Sequence, residues 1–186
     1  GDINSAIGVL IDSSPINIDG GNFYISGSNA ISGVIVNNIG LFSAASININ
    51  GSGYAQGVNI ISSSMISGLI NIEGDSEVFA EMGSVNIIDS SSVFTSPGDI
   101  TISATGFDDL LFGGGIDDGN LVTLKSENSV IMGAAANINI PGSVVLNSDA
   151  NSSGSGNVQL LDNNTISSLG SNIIMGGGTC DSLSCS

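Results

Sequence analysis

A triplet of apolar, polar and apolar residues, most often Ile-Asn-Ile or Val-Asn-Ile, returns along this chain with a second apolar cluster a few residues behind it. The clearest copies run Val58-Asn59-Ile60 to Met65-Ile66, Ile70-Asn71-Ile72 to Val78-Phe79, Val85-Asn86-Ile87 to Val93-Phe94 and Ile100-Thr101-Ile102 to Leu110-Leu111-Phe112. Val122-Thr123-Leu124 to Val130-Ile131-Met132, Ile138-Asn139-Ile140 to Val144-Val145-Leu146, and Val158-Gln159-Leu160 to Ile166 continue the series. Each unit reads as strand, polar arc and strand, because alternation with period two turns one side of the backbone towards a core. A unit with one buried face cannot close a core alone and must stack on its neighbours. The expected fold class is therefore all-β, a β-solenoid of the parallel β-helix kind or a related stacked strand-arc-strand assembly. Ile70, Ile72, Val85, Ile87, Ile100, Ile102, Ile138 and Ile140 are expected in buried stacks, with the central Asn of each triplet turned outward.

The N-terminal third carries the alternation less regularly, in Val9-Leu10-Ile11, Ile16-Asn17-Ile18, Phe23-Tyr24-Ile25, Val34-Ile35-Val36 and Ile47-Asn48-Ile49. Between them, Asp19-Gly20-Gly21-Asn22 and Ser26-Gly27-Ser28-Asn29 have the Gly and Asn that sharp corners require. The longest insertion, Gly113 to Asn120, reads as a protruding loop. No composition break divides the chain, so residues 1–175 read as one elongated β-repeat domain and residues 176–186 as a Gly-rich, Cys-containing tail. Neither terminus carries a recognisable capping segment.

The charge balance decides which partners are compatible. Seventeen acidic residues stand against one basic residue, Lys125, for a formal charge of −16. Nothing can neutralise phosphates, which excludes nucleic acid. No apolar run approaches the roughly 20 residues of a spanning helix, which argues against membrane insertion by one. Gly1-Asp2-Ile3-Asn4 has neither the basic region nor the apolar stretch of a secretory signal, so a mature secreted chain would already have lost it, and the scarcity of Lys and Arg removes nearly every trypsin site. That scarcity suits an extracellular or cell-surface location. The sequons Asn50-Gly51-Ser52, Asn151-Ser152-Ser153 and Asn163-Asn164-Thr165 make Asn50, Asn151 and Asn163 glycosylation candidates. Cys180 and Cys185 are the only cysteines. An even count in an extracellular chain favours disulfide chemistry, either with each other or between molecules.

Right-handed β-helices include enzymes that cut acidic polysaccharides, and paired carboxylates are what hydrolysis of that kind requires. Asp108-Asp109 and Asp117-Asp118 are the dense candidates. With no Arg or His and one Lys, the residues that would bind a uronate or act as a strong base are missing, so these read as solvated turn aspartates and the chain as a non-enzyme. The oxygen-rich corners holding Asp19 and Asp117, Asp118 and Asn120 are calcium candidates, and diffuse bridging by calcium or another divalent cation is the broader form of that expectation. No cofactor is expected otherwise. An isopeptide bond of Lys125 with nearby Asn128 and Glu127 is considered and set aside in favour of an ordinary exposed strand lysine.

The run Gly98-Asp99-Ile100-Thr101-Ile102-Ser103-Ala104, followed by Gly156-Asn157-Val158-Gln159-Leu160, resembles the repeats of filamentous-haemagglutinin-like surface proteins. That resemblance covers the region from Val58 to Leu161 and implies a long right-handed β-helix with an adhesive or fibre role; no functional residue is carried over. The acidic composition and terminal thiols are similar also to stacked-β proteins that build tubular sheaths around filamentous archaea. The expected function is a secreted structural protein whose subunits self-assemble into a fibre, sheath or surface layer. The alternative is an adhesin or glycan-binding segment of a larger surface protein, with glycans or a host surface as partner.

Overall fold

Inward residues two apart stay dry only if the next turn of chain lays the same pair directly above them. In a computed structural model, which describes residues 7–43, 45–78 and 83–178 without the side chains of 29 and 30, the chain does this for about six turns. Every ladder is parallel and no helix occurs among the described residues.

Each turn has three sides. The first face is built from β1 (Ile7–Asp12), residues 32–37 of β3 (Asn22–Asn37), residues 56–61 of β5 (Ser46–Ile61), β8 (Val85–Ile87), β11 (Leu110–Phe112), β14 (Val130–Met132) and β17 (Val158–Leu160). The second holds β2 (Ile16–Ile18), β4 (Gly40–Ser43), β6 (Ser64–Ser67), β9 (Val93–Thr95), β12 (Gly115–Asp118), β15 (Asn137–Asn139) and β18 (Thr165–Ser167). The third holds the opening halves of β3 and β5, then β7 (Ile70–Ser76), β10 (Ile100–Gly106), β13 (Leu121–Ser126), β16 (Ser143–Ser148) and β19 (Ile173–Gly177). Because β3 and β5 run unbroken around one corner, the first and third faces join into a single 12-stranded sheet, while the second is a separate sheet of seven.

The core is a set of vertical columns. On the third face Ile47, Ile70, Ile100, Val122 and Val144 form one column and Ile49, Ile72, Ile102, Leu124 and Leu146 another; all are buried. The second face contributes one apolar column, in the order Ile16, Leu41, Met65, Phe94, Ile116, Ile138, Ile166. All eight residues expected in buried stacks are buried. Asn48 and Asn71 stand in register on the outer side between buried neighbours and are half-buried, as is Asn86, whereas Asn59, in register with Asn86, is itself buried, against the expectation of an outward row. Val78 follows the end of β7, and Phe79 lies outside the described residues.

One corner is closed by glycine. A Cβ on Gly27 would stand 2.1 Å from the Gly33 carbonyl oxygen, and one on Gly51 2.1 Å from that of Gly57. Backbone fills the space a side chain would need where the third face bends into the next first face.

Two expectations are corrected. The segment from Gly113 to Asn120 does not protrude: Gly113, Gly114 and Gly115 are buried, β12 forms within it, and Ile116 is fully enclosed in the second-face column. Backbone comes close at two of these glycines, since a Cβ on Gly114 would stand 2.7 Å from the Ser92 carbonyl oxygen and one on Gly113 3.0 Å from that of Ile87. Asp108 is likewise not a solvated turn aspartate, being 1% exposed.

Candidate assembly interface

A parallel stack has two ends, and in this chain both present open strand edges among the described residues. β1, β2 and the opening half of β3 pair on one side only, as do β17, β18 and β19. No turn among the described residues covers their inward side chains. At the first end Val9, Ile11, Ile16 and Phe23 are only partly buried against the core. At the last end Val158 and Ile166 are partly buried, and Leu160, Ile173 and Met175 are 48%, 43% and 45% exposed, although residues in the same columns one turn earlier are fully enclosed. The two ends carry matching positions: Val158 and Leu160 continue the columns of Val9 and Ile11, Ile166 that of Ile16, and Ile173 and Met175 those of Phe23 and Ile25. Exposed edges of this type are templates for pairing with further strands.

The carboxylates have a different task. Those of Asp12, Glu73, Asp75, Asp89, Asp99, Asp109 and Glu127 each accept a hydrogen bond from the adjacent turn: from Asn37, Asn50, Ser52, Ser62, Asn120, Ser129 and Gly106 respectively. Asp89 is the most heavily bonded. Ser62 Oγ donates to it at 2.6 Å and the Ser62 amide at 3.1 Å, while the hydroxyls of Ser91 and Ser92 and the Ser92 amide complete the set. The Ser62 hydroxyl bond, reinforced by the other donors and opposed by burial, holds the Asp89 carboxyl below the usual carboxylate range. Much of the negative charge thus ties one turn to the next.

The sequence-derived site residues fall as follows. Asp108 and Asp109 sit where the third face meets the first, whereas Asp117 and Asp118 sit where the second meets the third. The six-residue strand β13 spans the face between those corners, about 20 Å, so the fold does not bring the two carboxylate pairs together. Asp109 Oδ1 accepts from the Ser129 amide at 2.9 Å. Asp118 and Asn120 line one groove of about 440 Å³ with Asp99, Pro97, Pro141 and Ser171. In it Asn120 donates to Asp99 at 3.0 Å and Gly119 N to Asp118 at 2.9 Å. Asp117 is exposed beside this groove, while Asp19 is exposed in the first turn, four turns away on the same corner. Among the described residues no group of three or more His, Cys, Asp or Glu is placed to hold a metal ion. Lys125 stands on the outer side of the third face, in register between Ser103 and Asn147. Asn50 is exposed on β5, Asn151 and Asn163 at corners. Cys180 and Cys185 lie outside the described residues.

The open ends were legible only as missing caps, and the matching columns needed the register to be found. No protein-family model, curated protein or solved structure matches the chain.

Proposed function

We propose that this is an extracellular, non-catalytic structural protein whose copies join end to end, the last turn of one seating on the first turn of the next, to build a fibre, sheath or surface layer. The observation that carries the reading is the matched pair of open ends: among the described residues, three unpaired parallel edges at each, with half-covered apolar residues in the same columns. Such a contact is heterologous, and repeating it extends a polymer instead of closing a ring.

Electrostatics sets the condition for it. Copies with a formal charge of −16 repel each other, and the screening length falls from about 30 Å at 0.01 M salt to about 8 Å at 0.15 M. Association is therefore expected to need electrolyte, with divalent cations more effective than sodium. The filamentous-haemagglutinin-like and archaeal-sheath resemblances support a surface role of this kind. A second reading, a glycan-binding segment of a larger surface protein, is favoured by the groove between Pro97 and Pro141, which offers Asp99, Asn120 and Ser171 as polar contacts.

Sedimentation velocity separates the two. The stacking reading expects polymers at 0.15 M salt that shrink at 0.01 M, and monomer at both for the double variant Ile173→Asp, Met175→Asp. A wild-type chain that stays monomeric throughout would contradict it and would leave the edges to further coils of a longer chain.

A further inference from the structure

Asn50, Asn151 and Asn163 share a sequon, and the fold gives each a different backbone. Asn50 lies within β5, paired with Ser26 on one side and Glu73 on the other. Its Nδ2 donates to Glu73 Oε2 at 3.3 Å, and Ser52 Oγ to Asp75 Oδ2 at 3.4 Å, so both ends of that sequon are committed to the neighbouring turn. Asn163 has a φ of 61° in a tight corner. The two residues after it are fixed: Asn164 Nδ2 donates to the carbonyls of Met132 and Leu161, and the Thr165 amide to Ala136 O at 3.0 Å as β18 begins.

Asn151 differs in having no partner on a neighbouring turn, although its sequon too holds a tight turn, with Ser152 at φ 57° and the Ser152 amide donating to Asp149 O at 2.8 Å. It belongs to the long corner between β16 and β17, where residues 151–157 are all exposed. Its Oδ1 accepts from the Ser153 amide at 3.0 Å, and its Nδ2 donates to no described residue. The Ser153 hydroxyl, the third element of the sequon, is exposed and bonded only locally, to Asp149 Oδ1 at 3.0 Å and Ser155 Oγ at 2.8 Å. Asp149 also accepts from Gly154 N, so the corner keeps its shape without committing Asn151 to a ladder. A transferase must wrap the acceptor strand, and this is the sequon whose backbone is free of interstrand pairing.

We propose that Asn151 is the acceptor for an N-linked saccharide and that Asn50 and Asn163 are not. The co-substrate is a glycosyl diphosphate. Asn151 Nδ2 bonds to the anomeric carbon as the bond from that carbon to the diphosphate oxygen breaks, the diphosphate leaves with the electron pair, and the amide gives one proton to the transferase's base.

The test uses the folded full chain with a soluble Asn-X-Ser/Thr glycosyltransferase and a nucleotide-diphosphate hexose, read by peptide mapping in a mass spectrometer. Asn151 is expected to be modified faster than Asn50 and Asn163 by at least about tenfold, because those two require local opening first. In the three isolated sequon peptides that preference is expected to vanish, and Asn151→Gln to remove the folded-state product. Equal rates at the three sites in the folded chain would overturn the proposal. So would a folded chain unmodified at Asn151 while its peptide is modified. In material from the native source the sugar is expected on Asn151, and a bare Asn151 there would equally overturn it.

Discussion

Replacing Ile72 by Asp and, separately, its neighbour Asn71 by Asp places the same carboxylate one residue apart on one strand. Ile72 is fully enclosed in β7, in register with Ile49 below and Ile102 above. Removing such a side chain alone costs about 2–5 kcal/mol. A carboxylate with no partner adds a desolvation penalty, so Ile72→Asp is expected to exceed about 4 kcal/mol, against a global stability of about 5–15 kcal/mol. Asn71 points outward between Asn48 and Thr101 and is half-buried, so Asn71→Asp is expected to stay within about 1 kcal/mol. Urea unfolding followed by far-ultraviolet circular dichroism reads both. The pH dependence gives a second check. A buried carboxyl at position 72 has a folded pKa above its unfolded value, so the charge part of its penalty is absent below about pH 4 and grows as pH rises. Equal costs for the two variants, or a larger cost for Asn71→Asp, would refute the inward register on which the columns rest.

Asp89→Ala is expected to cost about 1–3 kcal/mol at pH 7, since several donors lose a charged acceptor. The native carboxyl titrates below its unfolded value, so its contribution is present above about pH 4 and is lost as pH falls through the lower folded pKa. A difference from wild type that is unchanged between pH 7 and pH 2 would contradict the role given to it. Gly51→Ala drives a Cβ to 2.1 Å from the Gly57 oxygen and is expected to cost about 1–3 kcal/mol. Gly40→Ala, which meets nothing within 4 Å, is expected to stay within about 0.5 kcal/mol; thermal melts showing equal losses would remove the steric account of the corner. Cys180 and Cys185 are expected to be oxidised, seen on non-reducing electrophoresis as reducible multimers or as a monomer with a blocked thiol pair; free alkylation in untreated material would contradict this.

The inward register of the first and third faces was legible where two apolar residues stand astride a polar one, as in Ile70-Asn71-Ile72, Val85-Asn86-Ile87 and Ile100-Thr101-Ile102. The second face shows the pattern only at Ile16-Asn17-Ile18 and Ile138-Asn139-Ile140; elsewhere its inward apolar residue is mostly followed two positions on by serine, as in Leu41 and Ser43 or Met65 and Ser67. Ile116 between glycines and aspartates therefore looked like a loop. The number of sides per turn was hidden by unequal corners: Leu110 pairs with Val130, 20 residues on, but Ile70 with Ile100, 30 residues on. A signal did exist in the glycines. Gly27, Gly51 and Gly74 recur at near-constant spacing, with Gly33 and Gly57 in step, because each sits where backbone crosses the inside of the same corner. The linking role of the carboxylates was not legible at all. Asp89 meets Ser62 only once the register of two turns is known, and a list of acidic residues shows charge without showing its partners.

End-to-end stacking is tested most directly by fibre diffraction from the chain concentrated at 0.15 M salt. Stacking continues the parallel ladders along the polymer, so a meridional reflection at about 4.8 Å is expected, strands lying across the fibre axis. It is expected to disappear with the fibres in the Ile173→Asp, Met175→Asp variant. An equatorial 4.8 Å reflection, from strands running along the axis, or fibres that persist unchanged in the variant, would contradict the account, because copies would then be joined through their outer faces.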